Sequence, residues 1–337
     1  MTQDYFKSKI TFLNVILTIM IVILHAKSPE RFGLLLEDYP VIYSISMLCR
    51  VATPLFFFLS ALLFYKACSF GDLERKFTSR IHSLFVPYVL WNVIYVLLFW
   101  FFSHTPSFAS KMNVGNILNT PKEIVWAILD SYHSDLWFVR NLMIYTLLSP
   151  VLLVVFKNKK NVFLLLFLIL SMAIYMQPDY KSLLRWLPVY LMGAVGGYYW
   201  DDHILGRIFR NKHDCFFTLG ALLSFLIFYG YSLYKNSDIY IIYTSPILIW
   251  IVVDGLFYRL IQRMRVKKWM SYMFFIFCTH HFVLNVLQKI VVLYVEPSRI
   301  SIFLTYFLSV ILCLFILIKL AGFISKYKFY KVLTGGR

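Results

Sequence analysis

Charge is scarce in this chain. Only 15% of its 337 residues are Asp, Glu, Lys or Arg, and only 16 are acidic. A soluble globular domain carries about 25% charged residues. The charges that do occur stand in clumps between long apolar runs. With 60% hydrophobic residues, this excludes an ordinary water-soluble domain and points to a polytopic membrane protein. Strict apolar–polar alternation is lacking as well. Val162–Ile174 and Ile300–Ile318 are continuous, which excludes a transmembrane β-barrel.

Paired cysteines are missing. Cys49, Cys68, Cys215, Cys278 and Cys313 are odd in number, and none forms a Cys-x-x-Cys pair. They read as small apolar residues, with no disulfide framework. There is no His-x-x-x-His or His-Glu-x-x-His spacing and no carboxylate cluster accompanies His280 and His281, so no metal site is expected. Walker-type and dinucleotide glycine motifs are absent. Gly193, Gly196 and Gly197 therefore read as points of close helix packing. No nucleophilic serine or cysteine stands beside a base. The first apolar run lacks a small-x-small cleavage site and is expected to stay as a helix.

What is present is a series of ten apolar spans: roughly 10–26, 41–65, 84–103, 136–156, 161–177, 184–200, 214–234, 239–258, 270–294 and 300–322. The basic residues gather on alternate connections. The second carries Lys66, Arg75, Lys76 and Arg80; the eighth carries Arg259, Arg263, Arg265, Lys267 and Lys268. By the positive-inside rule this predicts an all-α polytopic membrane protein of about ten helices with both termini cytoplasmic. The same rule accounts for the net charge of +17 without nucleic acid. No internal repeat or soluble domain is visible, so residues 1–337 read as one membrane-embedded domain. The connection from Ser103 to Asp135, with a short helix near Glu123–Leu129, is long enough to serve as a lid or substrate rim.

Within the spans the polar residues carry the information, because a charge in hydrocarbon costs at least ~2.5–3.5 kcal/mol. Lys7, Thr11, Asn14, Thr18 and His25 share one stripe of the first span, which predicts that it faces other helices or a cavity. The orientation puts His25 at the outer end. Arg50 lies ahead of Pro54 and is either a clamp on carbonyls freed by the proline or a ligand-facing cation. Arg140 follows Trp137 and either snorkels or faces a ligand. His281, Asn285 and Gln288 fall on one face, with His280 about 100° away; packed core histidines are the bland reading. Lys289 lies nearer the outer end of that span.

Several stretches together resemble the integral-membrane acyltransferase family 3. Asn14 and His25 hold the positions of its basic residue, ten residues, histidine motif. Arg50-Val-Ala-Thr-Pro54-Leu-Phe-Phe-Phe-Leu-Ser60-Ala61 is similar to its Pro-x-Phe-Phe-x-x-Ser-Gly. Lys76-Phe-Thr-Ser-Arg80 precedes Val86-Pro87-Tyr88 as the family's basic run precedes Pro-Tyr. Leu136-Trp137-Phe138 resembles its Leu-Trp-Phe segment, and Phe277-Cys-Thr-His280 its aromatic-x-x-His. Two positions depart: Asn14 stands for the usual arginine, with Lys7 two turns back on the same stripe, and Ala61 stands for glycine. The motif favours His280, while helical period favours His281.

The resemblance implies a membrane O-acyltransferase, most simply an O-acetyltransferase, in the cell inner (plasma) membrane. Its co-substrate would be cytoplasmic acetyl-CoA (acyl-CoA), with no tightly bound cofactor. Its acceptor would be a hydroxyl of a cell-envelope glycan or lipid-linked saccharide. His25 would be the general base. Asn14, Arg50, Arg80 and Arg140 would lie on the donor side, with the arginines on phosphates or the oxyanion. Trp137, His280 and His281 would face the acceptor. The competing reading is a polysaccharide or lipid-linked glycan exporter without catalysis.

Overall fold

The structure, a computed structural model, describes residues 3–103, 120–129, 134–199 and 212–336. The described chain is 86% helix with no strand. Only helices and closed barrels can satisfy every backbone N–H and C=O in lipid. The principal helices are α1 (Gln3–Leu24), α2 (Ser28–Arg31), α3 (Pro40–Cys49), α4 (Ala52–Tyr65), α5 (Leu73–Arg80), α6 (Val86–Ser103), α7 (Pro121–Leu129) and α8 (Trp137–Leu147). They continue with α9 (Ser149–Phe156), α10 (Lys159–Met176), α11 (Leu183–Tyr198), α12 (Lys212–Lys235), α13 (Ile239–Arg263), α14 (Met273–Tyr294), α15 (Arg299–Ile324) and α16 (Lys328–Leu333).

All ten expected spans fall on helices, but not all ten qualify as simple crossings. Among the described residues eight helical stretches are long and apolar enough to cross a membrane, and α8 with α9 passes as a ninth, bent span. The expected sixth span, α11, has 16 residues. At 1.5 Å per residue it reaches about 24 Å, short of the ~30 Å hydrocarbon core. The chain packs as two compact units, Met1–Phe70 with Pro150–Gly322, and Gly71–Ser149 with Phe323–Arg337.

In the first unit α1 packs against α3, α4, α13 and α14. The tightest pairing is α4 on α11. A Cβ added at Gly193 would lie 2.2 Å from the Phe58 carbonyl oxygen, and one at Gly197 2.4 Å from that of Leu62. The Gly-x-x-x-Gly spacing thus lets two backbones touch, as its period predicts. Outward-facing α10 and α12 expose Phe163, Phe167, Phe216 and Ile227, a surface suited to lipid rather than water.

In the second unit, Thr120 and Glu123 start α7 as a capping box: Glu123 N–H donates to Thr120 Oγ1 at 3.3 Å, and Thr120 N–H to Glu123 Oε2 at 3.1 Å. The Tyr88 hydroxyl donates to the carbonyls of Ile128 and Leu129 at 3.1 and 2.9 Å, closing the far end of the same helix. The Trp91 indole donates to Leu333 O at 3.0 Å and ties α16 to α6. The expected short helix near Glu123–Leu129 is therefore present. Most of the connection around it, including Lys111, lies outside the described residues, as do Arg207 and Arg210.

Candidate functional site

The first unit gathers three histidines. The His25 ring lies with its centroid 5.0 Å from that of His280 and 5.4 Å from that of His281. The choice between His280 and His281 that sequence left open dissolves, because both reach His25. They do so differently: His280 is fully buried, and His281 is half-buried.

Local backbone sets the protonation pattern. His25 follows the last turn of α1, and its Nδ1 lies 2.9 Å from Ile21 O. A carbonyl oxygen only accepts, so Nδ1 carries the proton and Nε2 carries the lone pair of the neutral ring. His280 repeats the arrangement within α14, with Nδ1 2.8 Å from Phe277 O. Its Nε2 is then an acceptor, and it lies 3.3 Å from His25 Nδ1. His25 thus has its donor nitrogen held by a carbonyl and a second imidazole. That fixes its tautomer and ring plane.

One helical turn beyond His281, Asn285 accepts a hydrogen bond from Arg31 of α2. The Nε of Arg31 is buried with no hydrogen-bond partner among the described residues. Arg31 stands in the connection between the first two expected spans. Here it is a cation held against the helix that carries both histidines, at Asn285, about 6 Å of rise beyond His281. The contacts also give direction. His25 meets His280 and Arg31 meets Asn285, so α1 with α2 runs parallel to α14. Tyr5 meets Tyr258 and Lys9 meets Asp254 and Trp250, so α1 runs antiparallel to α13. These are the relative directions that an alternating ten-span order requires.

The other end of α1 corrects the sequence reading. Lys9, one residue before the first expected span, is fully buried and pairs with Asp254 Oδ2 at 2.8 Å. Its ammonium donates to Trp250 O at 3.1 Å and lies 3.2 Å from the Trp250 ring centroid. Tyr5 donates to the other Asp254 oxygen at 2.8 Å. Sequence reasoning missed Asp254, although it interrupts an apolar run just as Arg50 does. The expected polar stripe is also partly self-contained. Thr11 donates to Lys7 O at 3.0 Å and Thr18 to Asn14 O at 2.8 Å, so their hydroxyls are satisfied by their own helix. Lys7 is exposed, so it is not a cation inside the bundle. Asn14 is half-buried, about 16 Å of helix below His25.

Arg50 sits at the break between α3 and α4, where the N–H groups of Arg50 and Val51 reach only three residues back, to Met47 O and Leu48 O. It pairs with Asp238 at 3.3 Å, so its recorded partner is a carboxylate and not the carbonyls near Pro54. In the second unit, Arg80 ends α5 and is followed by a π-helical turn, Ile81–Phe85. Trp137 and Arg140 lie on the first turn of α8, which packs against that turn. The expected site residues thus fall in two groups. His25, His280, His281, Asn14 and Arg50 belong to the first unit; Arg80, Trp137 and Arg140 belong to the second.

Comparison with known families gives a match over nearly the whole chain. A family model described as "Acyltransferase domain" aligns with residues 8–319. The chain belongs to the acyltransferase family 3. This multi-pass member has no match among the curated proteins or the solved structures compared.

Proposed function

We propose that this family member is an O-acyltransferase of the inner (plasma) membrane, with acetyl-CoA as donor and a hydroxyl of a cell-envelope glycan or lipid-linked saccharide as acceptor. The observation that carries the reading is the pair of imidazoles. Carbonyls hold both Nδ1 protons, and His25 Nε2 carries the lone pair. That is the form a general base needs near neutral pH.

In the reaction, Nε2 takes the proton of the acceptor hydroxyl as its oxygen attacks the thioester carbonyl. The C–O bond forms, the C–S bond breaks, and the imidazolium returns its proton to the departing thiolate. The positive ring is stabilised through its Nδ1–H by Ile21 O and His280 Nε2. Arg31 supplies the cation for the oxyanion, in a protein where Asn14 occupies the family's arginine position. Arg80 and Arg140, with the basic segment of α5, suit the phosphates of the donor.

The test is transfer of labelled acetyl from acetyl-CoA to a glycan acceptor by the reconstituted protein. His25→Ala should abolish transfer while leaving the yield of folded protein unchanged; full transfer by that variant rejects the base. A deletion strain separates catalysis from export. Loss of acetyl esters on an otherwise normal surface glycan supports the enzyme, and loss of the glycan itself supports an exporter.

A further inference from the structure

A second charged cluster lies in the first unit. Asp238, the residue before α13, takes Arg50 on one carboxylate oxygen at 3.3 Å and Arg185 on the other. Arg185, on the first turn of α11, also donates to Pro178 O at 3.0 Å, and its Nε is buried without a partner among the described residues. Among those residues no other carboxylate pairs with either arginine. Two guanidiniums therefore share one carboxylate, which leaves a net positive charge. Arg50's side chain is 39% exposed and Arg185's 13%. The remaining donors of Arg50 bond to no described residue, so one fork is presented outward and the other backs it from within.

Helix register fixes the level of this cluster. Lys9 meets Asp254 across antiparallel α1 and α13. His25 is sixteen residues further along α1, and Asp238 is sixteen residues back along α13. Both are therefore about 24 Å from the Lys9–Asp254 pair, in the same direction. The arginines and the histidines lie at one end of the unit and at one depth.

We propose that Arg50 and Arg185, aligned by Asp238, form an anion subsite for a phosphate or carboxylate carried by the molecule whose hydroxyl reaches His25. A guanidinium fork matches the planar, two-oxygen edge of these groups. That the ligand is the acceptor rests on the acyltransferase reading; that the site takes an anion does not.

The experiment is direct binding. The full chain in phosphatidylcholine nanodiscs is titrated with labelled glucose 1-phosphate and, separately, with labelled glucose. The phosphate ester should bind and glucose should bind far more weakly. Arg50→Gln should weaken glucose 1-phosphate binding by about tenfold or more, and Arg50→Lys, which keeps the charge but loses the fork, should weaken it less. Asp238→Asn, which removes the competing carboxylate, should tighten it.

A purely structural brace predicts no such opposition of sign. Equal binding of glucose and its phosphate, or unchanged binding in Arg50→Gln, overturns the site. Thermal melting is read for every variant; if Asp238→Asn melts early, the contrast between Arg50→Gln and Arg50→Lys decides. In discs containing phosphatidylglycerol, competition assigns the site to a lipid phosphate, and lack of competition to a saccharide-borne anion; either upholds it. Phosphate binding without acyl transfer would keep this site while rejecting the enzymatic reading.

Discussion

The two ends of α1 hold their polar groups in opposite ways. At the Lys9 end every charge is closed off. The ammonium has a carboxylate, a carbonyl and an indole face, and the carboxylate has a lysine and a tyrosine. At the His25 end the arginines are held but not matched one to one. Two imidazoles are oriented by carbonyls, Arg31 keeps a buried Nε without a partner among the described residues, and Arg50 and Arg185 outnumber Asp238. An ionisable group in a membrane is thus not by itself a mark of function. Completeness of its partners separates a charge that locks helices together from one that awaits a ligand.

The largest effects should fall at the open end. His25→Ala is expected to lower the acyl-transfer rate by about 10²–10⁴-fold, the range for losing a general base, with the melting midpoint in detergent close to that of the parent. A large drop in the midpoint would make His25 a C-terminal cap of α1 and little more. At the closed end the expected loss is in stability. Lys9→Met leaves Asp254 buried without its cation, at a cost of about 3–5 kcal/mol. Thermal unfolding should show it as a clearly lowered midpoint, and Lys9→Met with Asp254→Leu should recover much of the loss. A single variant that melts like the parent would break the contrast.

Arg31 tests whether the open end is chemical or merely polar. Arg31→Gln keeps a group able to bond Asn285 but removes the charge. It should slow transfer by roughly 10- to 100-fold, within the range for losing one preorganised donor to a developing oxyanion, and the loss should appear in kcat more than in KM. A change confined to KM would move Arg31 from the reacting carbonyl to substrate binding.

Much of this was readable from sequence, for physical reasons. Lipid allows few backbone solutions, so apolar length located the long helices, and the Gly193–Gly197 spacing located a backbone contact that the structure bears out. Helical period placed His281 with Asn285 and Gln288 on one face, and motif placed His280; the two agree once a second helix is present to bring His25 between them. What failed was the treatment of charge. Counting basic residues by connection gives each a side of the membrane but no partner, so it does not find Lys9 buried on Asp254 or Arg31 bonded to Asn285. The partner of Lys9 is 245 residues away in sequence, a pairing that no local pattern announces. A turn-by-turn stripe also cannot say whether a hydroxyl faces a cavity or its own helix.

That last ambiguity sets the smallest expected effect. Thr18 lies on the polar stripe between the two ends, is 2% exposed, and donates to Asn14 O at 2.8 Å. If the stripe lined a polar route to His25, Thr18→Val would remove a group from that route and slow transfer. Its hydroxyl is instead spent on a carbonyl four residues back, a bond that adds little to a helix already hydrogen-bonded. Valine keeps the shape and loses only that bond, worth about 1 kcal/mol at most. Transfer should therefore stay within about twofold of the parent, with a small change in melting. A pronounced loss of transfer with intact stability would show that the middle of α1 belongs to the open end.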